Sequence, residues 1–153
     1  MALYKGLFVQ IKFKKLHKEA ILPKYETLNA SGMDIRAMLK EALNLKPFDR
    51  VAIPTGLSVE IPEGFELQVR PRSGLSINKG LMILNSPGTI DSDYRGEIKI
   101  LVINLNQAKV QISNGERIAQ LVLSRIYRAE PYIADTLSDT ERSIGGLGHT
   151  GQF

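Results

Sequence analysis

The chain has no cysteine, so disulfide cross-links and thiolate chemistry are excluded. Histidine is nearly as scarce. His17 and His149 lie at opposite ends of the sequence without H-x-x-x-H spacing, which argues against a protein-ligated zinc site. Each reads as a surface residue. No apolar run approaches the roughly 20 residues that span a bilayer. The opening MALYKGLFVQIKFKK has neither the apolar stretch nor the small-residue cleavage site of a secretory signal. The expectation is a soluble, intracellular, cytoplasmic protein with no membrane partner. A G-x-x-x-x-G-K-[ST] loop and a G-x-S-x-G elbow are both missing, so any phosphate chemistry follows another plan. There is no internal repeat, and no low-complexity segment beyond a Gly-rich C-terminal end.

What is present reads as a globular fold. The 153 residues suit one domain, and 43% hydrophobic with 24% charged residues is too apolar for a disordered chain. The net charge of +4 owes much to Lys5, Lys12, Lys14, Lys15 and Lys18. They crowd the N-terminus without aromatic or Arg-rich company, which reads as a solvated strand face and not a nucleic-acid patch. A small anionic ligand remains compatible with that charge.

Period-two alternation recurs from end to end: Leu7, Val9, Ile11 and Phe13; Leu57, Val59 and Ile61; Phe65, Leu67 and Val69. Pro62-Glu63-Gly64 between the last two runs predicts a hairpin. EIKILVINL and VQISNGERIAQLVL extend the pattern, with Asn114-Gly115 as a second hairpin turn. LMILNSPGTID predicts a third hairpin bent at Pro87-Gly88. Helix is scarce, since AMLKEALNL (37–45) is short and stops at Pro47, leaving a loop or one or two helical turns. Short strands with turns between them predict an all-β sandwich or jelly roll. The apolar alternation ends near Asp135, so the expected division is a folded β-domain over 1–134 and a mobile tail over 135–153.

Taken singly, the candidate motifs are ambiguous. Asp34 in SGMDIRA can be a turn residue. Ser73 in PRSGLSINKG can cap a helix or, with Arg72 and exposed N–H groups, bind an anion. Gln120 is an unusual polar group among Ile118, Leu121 and Val122. In GTIDSDYRGE, Asp91 can orient or deprotonate a water, and Tyr94 can present a flat ring to a sugar. GGLGHTG fits G-x-G-x-x-G at Gly146, Gly148 and Gly151, but no helix can follow it, so the dinucleotide reading fails. Its glycines can still converge N–H groups on a phosphate, with Arg142 upstream as a bidentate clamp.

In order, SGMDIRA, PRSGLSINKG, GTIDSDYRGEI, GERIAQL and RSIGGLGHTG resemble the five motifs of the trimeric deoxyuridine triphosphatases (dUTPases), over residues 31 to 151. The resemblance implies a jelly-roll-like β-barrel in a homotrimer, with active sites built from three subunits and closed by the C-terminal arm. It implies hydrolysis of dUTP to dUMP and pyrophosphate with Mg2+, limiting uracil in DNA and supplying dUMP for thymidylate synthesis. Asp91 would activate the water attacking the α-phosphorus, and Tyr94 would pack on the deoxyribose and exclude a 2′-hydroxyl. Asn85 with backbone groups near Thr89, Ile90 and Lys99 would read uracil. Arg72, Ser73, Gly74 and Gln120 would contact phosphates, Asp34 would link to magnesium through water, and Arg142 would clamp the γ-phosphate. Leu147, Gly148, His149 and Thr150 would close over the substrate.

Leu147 departs from the family, which usually carries Phe there to stack on the base; Ser143 and Ile144 stand where a Gly is common. A branched alkyl group covers a base without offering a flat face, which implies a weaker lid. Two alternatives stay open. The dCTP deaminases share parts of two motifs, but their expected Ala-His before Ile-Asp is Gly88-Thr89 here. A non-catalytic β-trimer that binds nucleotide would be favoured by a substituted Asp91 or a missing arm.

Overall fold

The computed structural model describes residues 8–147 and 149. Among them are twelve strands and one helix, and the strands fall into four sheets. Strand β1 (Lys12–Lys15) pairs antiparallel with β6 (Leu57–Glu60). In a second sheet, β10 (Lys99–Asn104) lies between β5 (Arg50–Pro54) and β8 (Leu81–Ile83). A third pairs β4 (Leu43–Leu45) with β11 (Val110–Ile112). The largest runs β2 (Lys24–Tyr25), β3 (Met33–Arg36), β12 (Arg117–Arg125), β7 (Phe65–Arg70) and β9 (Gly88–Ile90). Helix α1 (Ser73–Lys79) follows β7. Small antiparallel sheets closing on one core make the all-β, jelly-roll-like barrel expected from the alternation.

The core is where the alternation put it. Leu57, Val59, Ile61, Leu67 and Val69 are all buried, and Ile53, Ile100, Ile112 and Leu121 join them. Along β10, Ile100, Val102 and Asn104 point inward while Lys99 and Leu101 face out. Ile11 and Phe13 pack on this core, although β1 starts only at Lys12; Leu7 lies outside the described residues. At the exposed edge of the first pair, Lys12 faces Glu60 across the ladder at 2.6 Å. Its hydrogen bond and charge hold the Glu60 carboxyl below the usual range.

All three expected hairpins are instead crossings between sheets. Strand β6 pairs with β1, while both edges of β7 are taken by β12 and β9, so Pro62–Gly64 turns the chain without joining its flanks. Phe65 N donates to Pro62 O across that turn, with Gly64 at a φ of 81°. Asn114–Gly115 docks on the segment after β3: Gly115 N donates to Ala37 O and Leu39 N to the Asn114 side chain. Strands β11 and β12 therefore pair elsewhere, with β4 and with β3 and β7. Likewise β8 joins β10 and β9 joins β7 on either side of the Asn85–Gly88 turn. Turn residues specify a reversal of direction, and the closing of the barrel decides the partner.

The segment 37–45 is a loop only in its first part. Residues 37–42 form a loop, and Leu43–Leu45 is strand β4, with Leu45 buried against the core. Tertiary pairing with β11 outweighs the helical propensity of its Leu and Glu neighbours.

One buried polar residue ties three segments together. Asn104 is fully buried; its Nδ2 donates to Leu45 O and Ala108 O, and its Oδ1 accepts from Asn106 N. Replacement by an apolar residue of similar size orphans the buried Leu45 carbonyl, at about 1–3 kcal/mol, whereas the partners at exposed Ala108 and half-buried Asn106 can turn to water. Asn104→Leu is expected to lower unfolding stability by about 1–3 kcal/mol, read by urea unfolding at fixed protein concentration.

Candidate functional site

Residues 85–99 build one side of the site. Ile90 turns its side chain into the core, so at that position the backbone is what remains for a ligand, while Thr89 and Asp91 on either side are exposed. Gly88 is buried beneath Asn85: a Cβ there would stand 3.1 Å from the Asn85 amide nitrogen and 3.2 Å from Val69 Cβ. Past β9 the chain turns tightly, Tyr94 N donating to Asp91 O at 3.2 Å, and the Tyr94 hydroxyl donates to Glu97 O at 3.0 Å. The far end of this loop is pinned to the β5–β6 corner. Thr55 Oγ1 donates to Ile98 O, Ile98 N to Leu57 O, and Gly56 N to the Glu97 carboxylate.

These pieces surround a cavity of about 260 Å³. It brings together Asn85, Thr89, Ile90, Asp91, Tyr94 and Lys99, all of them candidates from sequence. Glu97 and Leu101 line it too, and neither was expected. Glu97 sits within the same decapeptide, but its bond to a distant turn leaves no local trace in sequence.

A second group lies elsewhere on the chain. Asp34 is inside strand β3, not in a turn, and faces Gln120 of β12 in register. Its Oδ1 accepts from Arg72 Nε at 3.0 Å and its Oδ2 from Arg117 Nη1 at 3.2 Å. Gln120 donates to Pro71 O and lies across Gly32, where a Cβ would crowd its side-chain oxygen. Ser73 is not a helix cap: Arg72 takes the cap position with extended backbone and no side-chain capping bond, and Ser73 opens α1. Ser73 and Gly74 are exposed there. None of Asp34, Arg72, Ser73, Gly74 and Gln120 lines the cavity.

The third group is the C-terminal segment. Arg142 is exposed, its Nε donating to Gly145 O at 2.8 Å; Leu147 is fully exposed, and His149 N donates to Gly146 O. Gly148 and Thr150 lie outside the described residues. Arg142, Leu147 and His149 do not line the cavity of their own chain.

Among the described residues no group of three or more His, Asp or Glu could hold a metal ion. Both Asp34 oxygens already accept one hydrogen bond each, and their remaining lone pairs suit a water of a metal carried by a ligand's own phosphates. No helix of the described residues is long and apolar enough to cross a membrane.

A jelly-roll-like barrel whose cavity joins a carboxylate, an aromatic ring and a polar turn defines the class: a β-fold with a built small-molecule site. A family model described as dUTPase matches residues 18–151. The deoxyuridine 5'-triphosphate nucleotidohydrolase of Treponema denticola is 53% identical over 139 residues, covering 91% of this chain and 96% of that one. That of Fusobacterium nucleatum is 50% identical over 144 residues, covering 94% and 99%. Among solved structures, a substituted form of Staphylococcus bacteriophage 80alpha dUTPase with dUpNHpp superposes with a TM-score of 0.85 at 28% identity, covering 93% of this chain and 98% of that one. The chain belongs to the dUTPase family.

Proposed function

We propose that the chain hydrolyses dUTP to dUMP and pyrophosphate, limiting uracil incorporation into DNA and supplying dUMP for thymidylate synthesis in the cytoplasm. The supporting observation is the single cavity that unites Asn85, Thr89, Ile90, Asp91, Tyr94 and Lys99. At about 260 Å³ it falls just below the usual 300–1,000 Å³ of ligand pockets. On this reading it takes the nucleoside and leaves the phosphates at its mouth. Asn85 and the backbone of Thr89, Ile90 and Lys99 read the uracil edge, and the Tyr94 ring packs on the deoxyribose where a 2′-hydroxyl would stand.

Asp91 accepts the proton of a water lined up behind the α-phosphorus. As the new P–O bond forms, the bond from that phosphorus to the bridging oxygen breaks, and pyrophosphate leaves with the electron pair. Arg72, Ser73, Gly74 and Gln120, none of which lines the cavity of their own chain, serve the phosphates of a neighbouring protomer's cavity. The assembly is a homotrimer, as the family resemblance implies, with Arg142, Leu147, Gly148, His149 and Thr150 of the 135–153 arm covering the bound nucleotide. Enzymes of this family generally use magnesium, which when bound neutralises charge developing on the phosphates. Asp34 would hold it through a water.

Pyrophosphate release from dUTP, UTP, dTTP and dCTP tests the reading. The expected kcat/KM for dUTP exceeds the others by about 10²-fold or more. Ammonia release from dCTP, or no preference for dUTP, would overturn it.

A further inference from the structure

We propose that Gly96 is a positioning residue whose missing side chain sets the tilt of the Tyr94 ring and, through it, the discrimination between deoxyribose and ribose. The proposal rests on the placement of Tyr94 at the sugar. A Cβ built at Gly96 would stand 2.4 Å from the Tyr94 hydroxyl oxygen, 2.6 Å from Cζ and 2.9 Å from Cε2. All three distances are closer than carbon and oxygen tolerate, so the ring as it stands requires glycine behind it. The backbone does not require it. Gly56, Gly64, Gly80 and Gly115 have positive φ, and Gly96 is not among them. Its glycine answers to the ring alone.

The ring is held from the other end as well. Its hydroxyl donates to Glu97 O at 3.0 Å, and the Glu97 carboxylate accepts from Gly56 N at 2.9 Å. Tyr94 and Glu97 line the cavity, and Gly96, against the hydroxyl end of the ring, does not. Pushed by a methyl group at position 96, the aromatic end can rotate about its side-chain torsions, because Tyr94 is 46% exposed. The fold survives that rotation, and the surface offered to the sugar does not.

The test measures kcat/KM for dUTP and UTP with Gly96→Ala in three backgrounds: wild type, Tyr94→Phe and Tyr94→Ala. In the wild-type background the dUTP/UTP ratio is expected to fall about tenfold or more with the urea midpoint unchanged. The fall persists with Phe at 94, whose Cζ still meets the new methyl, and vanishes with Ala at 94, where no ring remains to displace. A ratio within about twofold of wild type, or an equal fall in the Tyr94→Ala background, would overturn the proposal. A wild-type chain inactive on dUTP would sink the functional reading instead. In that case a crystal structure of Gly96→Ala with an unmoved Tyr94 ring would sink the crowding argument on its own.

Discussion

Asp91→Asn is expected to lower kcat for dUTP by about 10²- to 10⁴-fold, with KM changed by no more than about twofold. The amide has the shape of the carboxylate and can still touch a water, but it cannot take the water's proton. The local geometry should survive the change. It is the backbone oxygen of Asp91 that accepts from Tyr94 N, and Thr55, Gly56 and Leu57 hold the loop at its other end. Asp91 is also exposed, so the unfolding midpoint should not move. A loss confined to kcat marks an interaction made only in the transition state. If the variant kept more than about a tenth of wild-type kcat, Asp91 would not be the proton acceptor.

Much of the site could be read in sequence because GTIDSDYRGE is continuous: the strand, the turn and the ring needed for one cavity wall are consecutive residues. Asn85 joins them for a local reason, since its amide packs over Gly88 three residues on. What sequence hid was long-range. Glu97 matters through Gly56, 41 residues away, and Asn104 through Leu45, 59 residues away. Gly96 drew no reading from sequence because nothing in the string of letters says that the Tyr94 ring lies against it. The three turns at Pro62–Gly64, Pro87–Gly88 and Asn114–Gly115 were seen where they are, yet the strands flanking each belong to different sheets. Period-two alternation marks an inward face without naming the neighbour on either edge. Strand β4 was missed because three residues are too few for a period to show.

The separation of the three residue groups leads to the second large effect. Ending the chain after Ala134 is expected to lower kcat/KM for dUTP by about 10²- to 10⁴-fold. Among the described residues of the arm the bonds are local, such as Ser143 N to Thr140 O and Gly145 N to Arg142 O, and Leu137, Ile144 and Leu147 are exposed. Its removal therefore takes nothing from the core, and the urea midpoint should hold. What is lost is Arg142: a bidentate guanidinium supplies two hydrogen bonds to charged oxygens, each worth about 1.5–3 kcal/mol. At about 1.4 kcal/mol per tenfold, that accounts for the expected range. Arg142→Ala alone should reproduce most of the loss. Leu147→Phe should act in the opposite direction, lowering KM by giving the base a flat face to stack on. A truncated chain with undiminished kcat/KM would remove the arm from the active site. Unchanged KM and kcat in Leu147→Phe would remove only Leu147 from contact with the base, leaving the Arg142 clamp intact.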